Sequence, residues 1–131
     1  MKGSYVLIIE IKENKKIFIG RREYKFKKGF YAYVGSALNS LEKRIKRHLK
    51  KHKKMRWHID YLLKHAEIKK IYYKEGDKKE ECAIANRFSS LSPIKNFGSS
   101  DCKCISHLFY SKDCKEIERI LEKDFKIYYK L

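Results

Sequence analysis

The sequence is poor in the residues that break, bridge or span. It holds one proline, Pro93, and six glycines in 131 residues. No linker-like stretch and no internal repeat divides it. It therefore reads as one domain over 1–131, with 91–131 a C-terminal extension of that domain. No apolar run approaches the roughly 20 residues of a bilayer-spanning helix. Val6 to Ile9 is too short for the apolar core of a signal peptide, and no small-residue cleavage site follows it. These absences exclude a membrane span and place the expected compartment in the cytoplasm. Cysteines number four, Cys82, Cys102, Cys104 and Cys114, and a cytoplasmic chain keeps such residues out of disulfides. Acidic residues are scarce, 16 against 33 Lys and Arg, which leaves a formal net charge of +17.

That charge is the dominant compositional signal. It draws polyanions and speeds their encounter, and it exceeds what a small domain needs for solubility. A nucleic-acid partner follows as the expectation. An anionic membrane surface fits less well, because no basic helix carries the aromatic, strongly apolar face of an interfacial anchor. The hydrophobic fraction of 43% belongs to a globular chain, and its Lys and Glu richness matches a thermophile bias.

Hydrophobic patterning gives an α+β fold built on a small central antiparallel sheet flanked by helices. Ser4 to Ile11 reads as a strand with Tyr5, Leu7, Ile9 and Ile11 on one face. Ile17 to Ile19 gives a second strand, expected to form a hairpin with the first. Tyr24 to Phe26 suggests an edge strand. Gly29 to Val34 is a further strand, with Tyr31 and Tyr33 on one face and Phe30, Ala32 and Val34 on the other. Gly35, Ser36 and Ala37 read as a tight turn. A helix follows to about His52, capped by Asn39 with Glu42 completing a capping box. Later helices are expected over Trp57 to His65, Glu80 to Phe88 and Cys114 to Phe125. Strands are expected over Ile68 to Tyr73 and Ile105 to Tyr110.

Several residue types recur in a telling order. The first strand opens Gly3-Ser4-Tyr5 and the strand from Gly29 runs into Tyr33-Val34-Gly35. Arg44 stands eleven residues after Tyr33 on the following helix, with His48 one turn further, and Glu80 and Glu81 open a later helix. This ordered set resembles the GIY-YIG nuclease superfamily, which is named for two short tripeptides on neighbouring strands followed by a helical Arg and a later Glu. Ser4 and Val34 stand in for the usual isoleucines. Stretches such as Trp57-His58-Ile59-Asp60-Tyr61 and Phe97-Gly98-Ser99-Ser100-Asp101-Cys102 are similar to a stand-alone branch of the superfamily, which extends the resemblance over nearly the whole chain.

The resemblance implies a divalent-metal-dependent endonuclease acting on nucleic acid, DNA before RNA. Tyr5 would be general base or water-positioner, Tyr33 its partner at the phosphate, Arg44 the charge clamp, and Glu81 the ligand of Mg²⁺ or Mn²⁺. Chemistry supports these residue types: a planar guanidinium suits phosphoryl oxygens, hard oxygen donors suit Mg²⁺ or Mn²⁺, and His48 can shuttle a proton or contact phosphate. On the helix, Arg44 and His48 are expected at the boundary of core and solvent. Taken singly, Tyr5 and Tyr33 are also ordinary strand aromatics, Arg44 one cation among many, and Glu81 a residue that favours a helix dipole.

Around this set, Ser36, Lys43, Lys46, Arg47 and Lys50 are candidate nucleic-acid contacts, or simply a solvated face. Trp57 can stack on an unpaired base, with His58 beside it and a possible His58–Asp60 acid–base pair; on an amphipathic helix a Trp also serves as core. The loop from Gly98 to Asp101 has donors for a phosphate. Cys82, Cys102, Cys104 and His107 offer a three-Cys, one-His set for structural Zn²⁺, although Cys-x-Cys-x-x-His is no standard zinc spacing. Three readings remain: a nuclease, which needs a metal-binding carboxylate at Glu81; a catalytically inactive nucleic-acid-binding module on the same scaffold, which does not; and a protein-interaction domain with a thermophile's Lys-rich surface.

Overall fold

Strand β1 (Gly3–Ile11) is apolar at nearly every position and buried along almost its whole length. A strand of that kind needs partners on both edges and cover on both faces, and it has them. The computed structural model describes residues 1–99 and 103–131. After β1 its elements are β2 (Lys15–Ile19), β3 (Arg22–Phe26), β4 (Gly29–Ala37), α1 (Leu41–Leu49) and α2 (His58–Leu62). There follow β5 (Glu67–Glu75), α3 (Glu81–Asn86), β6 (Ser92–Pro93), β7 (Leu108–Ser111), α4 (Cys114–Leu121) and β8 (Lys126–Lys130). Strands β6-β7-β4-β1-β5-β8 form a six-stranded sheet in that order, antiparallel throughout. The α+β class, with a small central antiparallel sheet flanked by helices, is the one read from the sequence.

The expected β1–β2 hairpin does not form. β1 takes the centre of the sheet, between β4 and β5. β2 instead pairs with β3 in a separate two-stranded sheet. Its two-residue turn is led by Gly20 at φ 63°, the backbone state that glycine adopts at no steric cost. The strand alternation explains the division. Ile17, Ile19, Tyr24 and Phe26 point inward from the hairpin and join Tyr5, Leu7, Ile9, Tyr31 and Tyr33 in one hydrophobic layer. Leu41 and Ile45 of α1 and Ile59 and Leu62 of α2 complete that layer. On the opposite face Val6, Ile8, Ala32 and Val34 pack against Ile84 and Phe88 near α3 and Ile117 and Leu121 of α4. Each fully buried aliphatic side chain contributes about 1.5–3 kcal/mol.

Boundaries shift from those expected, for local reasons. Ser40, not Asn39, caps α1: its hydroxyl accepts from the Lys43 amide at 3.2 Å. Glu42 pairs with the N-terminal amine at 3.0 Å rather than closing a capping box. The helix stops at Leu49, before His52, where Lys50 turns extended. There Lys53 Nζ donates to the carbonyls of Arg47 and His48 at 3.1 and 2.8 Å, joining the Lys50 amide, which donates to the Arg47 carbonyl at 3.2 Å, in closing the helix end. The helices expected over Trp57–His65, Glu80–Phe88 and Cys114–Phe125 are likewise shorter, and the strand expected from Ile105 begins at Leu108. No helix among the described residues is long and apolar enough to cross a membrane.

Gly35, Ser36 and Ala37 are not a turn. They continue β4, with Gly35 opposite Tyr5 and Ser36 opposite Ser4. Their smallness serves packing: a Cβ on Gly35 would lie 2.4 Å from both Cζ and the hydroxyl of Tyr5. Gly35→Ala should therefore lose about 1–3 kcal/mol, the usual range for overpacking a filled core. Urea denaturation reads this directly, and an unchanged midpoint would show that Tyr5 can move aside.

Candidate nucleic-acid cleft

β1 and β4 deliver Tyr5 and Tyr33 to the same face of the sheet, where α1 crosses them. The Tyr5 hydroxyl lies 2.7 Å from His48 Nε2. His48 is 2% exposed, not at the core–solvent boundary expected of it, because the rings of Tyr5, Tyr33 and Trp57 surround it. Burial, reinforced by the Lys53 ammonium, pulls its pKa down to about 3, so the ring is neutral at pH 7. Its Nδ1 has no hydrogen-bond partner among the described residues. Burial raises the Tyr5 phenol well above its ordinary range, against the opposing pull of the Arg44 guanidinium. Burial raises Tyr33 likewise, with Tyr5 and Glu81 adding to it. At rest the pair is thus a neutral phenol against a neutral imidazole.

A cleft of about 570 Å³ opens beside this pair, with Tyr5, Tyr33, Ser36, Arg44 and Glu81 in its walls. Arg44 is half-buried and donates to the Ser36 carbonyl at 3.1 Å. Glu81 opens α3, and one of its oxygens accepts the Ser36 hydroxyl. Its other oxygen lies 3.8 Å from His107 Nδ1. Glu80, the neighbouring acid, faces Lys74 instead, at 3.9 Å. Trp57 and His58 line the cleft as well. His58 packs against Phe97 and Tyr24, and burial, with Arg22 nearby, lowers its pKa.

The basic residues of α1 divide into two sets. Lys43, Lys46 and Lys50 are exposed. Arg47 turns inward: its two terminal nitrogens each meet an Asp60 carboxylate oxygen at 2.9 Å, and one also donates to the Lys54 carbonyl. Asp60 is fully buried and accepts the amides of Arg56 and Trp57 too. Burial would raise its carboxyl, but Arg47 and those amides outweigh it and hold the pKa at about 2. The His58–Asp60 pair considered from sequence is therefore replaced by Arg47–Asp60. The guanidiniums of Arg44 and Arg47 both lie over the Trp57 ring, at 4.6 and 4.4 Å from its centroid, a favourable cation–π geometry.

Three of the four residues read as zinc ligands also converge. The ligand atoms of Cys82, Cys104 and His107 lie within 4.8 Å of one another. Cys102 lies outside the described residues, as do Ser100 and Asp101 of the loop considered for phosphate. Sequence reasoning missed Lys79 as a cleft residue, and it did not place His107 there. Lys79 carries no distinguishing signal within its Lys-rich stretch. Gly98, read from the sequence as the start of a loop with donors for a phosphate, lines the cleft; it adopts φ +71°, and a Cβ there would come 3.2 Å from the Tyr33 ring.

Two outcomes follow from these environments. The unfolded chain takes up the His48 proton near pH 6.5 and the folded chain only near 3. Acid therefore favours unfolding, and stability present above about pH 6.5 is lost as the pH falls towards 3. His48→Phe should flatten that slope in urea titrations between pH 7 and 4; a slope equal to that of the parent would remove His48 as its source. Separately, Arg47→Ala leaves a buried carboxylate uncompensated and should cost about 3 kcal/mol. Lys46→Ala and Lys50→Ala should each change stability by no more than about 0.5 kcal/mol, as exposed substitutions do.

No curated protein and no solved structure matches the chain. One family does, described as a domain of unknown function, DUF123, over residues 4–129. That span runs from inside β1 to inside β8, and the chain belongs to the DUF123 family.

Proposed function

We propose that this protein is a divalent-metal-dependent endonuclease that hydrolyses phosphodiester bonds of nucleic acid, DNA before RNA, as its resemblance to the GIY-YIG superfamily implies. The observation that carries this reading is convergence. Tyr5, Tyr33, Arg44 and Glu81 come from four different elements and meet in one cleft of a chain with net charge +17.

The donor chemistry fits Mg²⁺ or Mn²⁺. Glu81 presents a part-exposed carboxylate to the cleft, and Mg²⁺ characteristically takes one or two carboxylates together with waters and substrate phosphates. When bound, such an ion polarises the phosphate and lowers the pKa of coordinated water.

The chain's own groups supply the rest. Arg44, fixed by the Ser36 carbonyl, holds a phosphoryl oxygen and its developing charge. The Tyr5 oxygen orients the attacking water. His48 Nε2, in the tautomer with its proton on Nδ1, accepts a hydrogen bond from the Tyr5 hydroxyl and so turns a lone pair of Tyr5 Oη towards the attacking water, whose proton leaves to solvent. The water oxygen forms the new bond to phosphorus, one bridging P–O bond breaks, and solvent protonates the departing oxygen. Trp57 offers a face for an unpaired base, and exposed Lys43, Lys46 and Lys50 follow the phosphate backbone.

Labelled single-stranded, duplex and flapped DNA, and RNA, incubated with Mg²⁺ or Mn²⁺, test the reading. Arg44→Ala should reduce cutting by about 100-fold or more, Tyr5→Phe comparably, and Glu81→Ala should abolish metal-dependent cutting. Binding should weaken steeply with salt in parent and variants alike. Salt-sensitive binding with no cleavage of any substrate would replace the nuclease with a binding module on this scaffold.

A further inference from the structure

We propose that Cys82, Cys104 and His107 bind a zinc ion that fixes the first turn of α3, and with it Glu81, against the sheet. The three ligand atoms already lie within 4.8 Å of one another. Around a tetrahedral zinc with Zn–S near 2.3 Å and Zn–N near 2.0 Å, ligand atoms sit about 3.4–3.8 Å apart. A contraction of about 1 Å, within reach of small side-chain rotations, completes the set. Two thiolates and an imidazole form a soft donor group that selects zinc over Mg²⁺. The cleft carboxylate, a hard oxygen donor, makes the opposite choice. Three protein ligands leave one tetrahedral position for a further donor.

The ligands come from separate segments, which gives the ion a mechanical role. Cys82 follows Glu81 in the first turn of α3, whereas Cys104 and His107 precede β7. α3 is only six residues long and has no side-chain cap at its N-terminus. A helix so short has little intrinsic stability. His107, by contrast, is held on both sides: its amide donates to the Phe97 carbonyl at 2.9 Å, and its carbonyl accepts the Val34 amide at 2.9 Å. Zinc would tie the weak element to the strong one.

The orientation of His107 adds a second link. Its Nδ1 lies 3.8 Å from Glu81 Oε2, and in the proposed site Nε2 takes the metal. A carboxylate beside the outer nitrogen of a zinc-bound histidine is a recurrent arrangement that orients the ring and strengthens the ligand. Here that carboxylate is also the one that lines the cleft. The proposal does not rest on nuclease activity, since metal content is measured without nucleic acid.

The test uses the full chain, kept reduced and purified without chelator or polyhistidine tag. Elemental analysis should find about one zinc per chain, falling below about a tenth in Cys82→Ser and in Cys104→Ser. Glu81→Gln, whose amide oxygen can still accept from the His107 ring, should keep its zinc, which separates the thiolate site from the cleft. Co²⁺ added to the metal-free parent should give thiolate-to-cobalt charge-transfer bands and intense tetrahedral d–d bands. This measurement holds even where a cysteine variant fails to fold. Less than a tenth of an equivalent of zinc in the parent, with no thiolate bands from Co²⁺, overturns the site. So does zinc that persists in both cysteine variants or is lost only with Glu81.

Discussion

The Tyr5 ring fills the space that a side chain at position 35 would need, with the nearest approach 2.4 Å from an ideal Cβ. Much of the site depends on that exclusion. Because β4 carries a glycine there, β1 and β4 keep a continuous antiparallel register from Gly3–Ala37 to Ile11–Gly29 while an aromatic ring lies across the join. The ring then reaches His48 on α1, and His48 in turn contacts Trp57 at the start of α2. One missing side chain thus permits a chain of contacts from the centre of the sheet to the rim of the cleft.

Cations in this region differ in what they are free to do. Arg47 is committed to Asp60, and Lys53 to the carbonyl end of α1. Both act on the scaffold. A buried carboxylate held at about pKa 2 needs its guanidinium, and removing one partner of such a pair is more damaging than never having built it. Arg44 is held more loosely, by one backbone carbonyl and the Trp57 face. That leaves guanidinium donors available for an anion. Lys43, Lys46 and Lys50 remain in solvent. The high charge of the sequence is therefore not one uniform field: part is internal fastening, and part faces outward.

Periodicity carried the fold class, and the principal cleft residues came from the family resemblance that their order in the chain suggests. The alternation along Tyr5–Ile11 and Tyr31–Val34 placed the aromatics on one face, and the spacing from Tyr33 to Arg44 and His48 followed from a strand leading into a helix. What escaped was non-local. The choice between a β1–β2 hairpin and a central β1 depends on which partners are available to an apolar strand, and no window of sequence states that. The pairing of Arg47 with Asp60 joins two helices across a loop, whereas helical geometry alone put Arg47 in solvent. Strand β8, with only Tyr129 even half-buried, lacks the burial pattern that marks a strand. His48 shows the limit of a helical wheel: it flanks the apolar stripe, yet Trp57, from another element, closes over it.

Trp57 is the single tryptophan of the chain. It lines the cleft, with two guanidiniums over its ring and a buried histidine beside it. Indole emission responds to neighbouring charge and to stacking, and there is no second indole to dilute the signal. The intrinsic fluorescence of the unlabelled protein is consequently a local readout of this one place, available in any buffer and without engineering a probe.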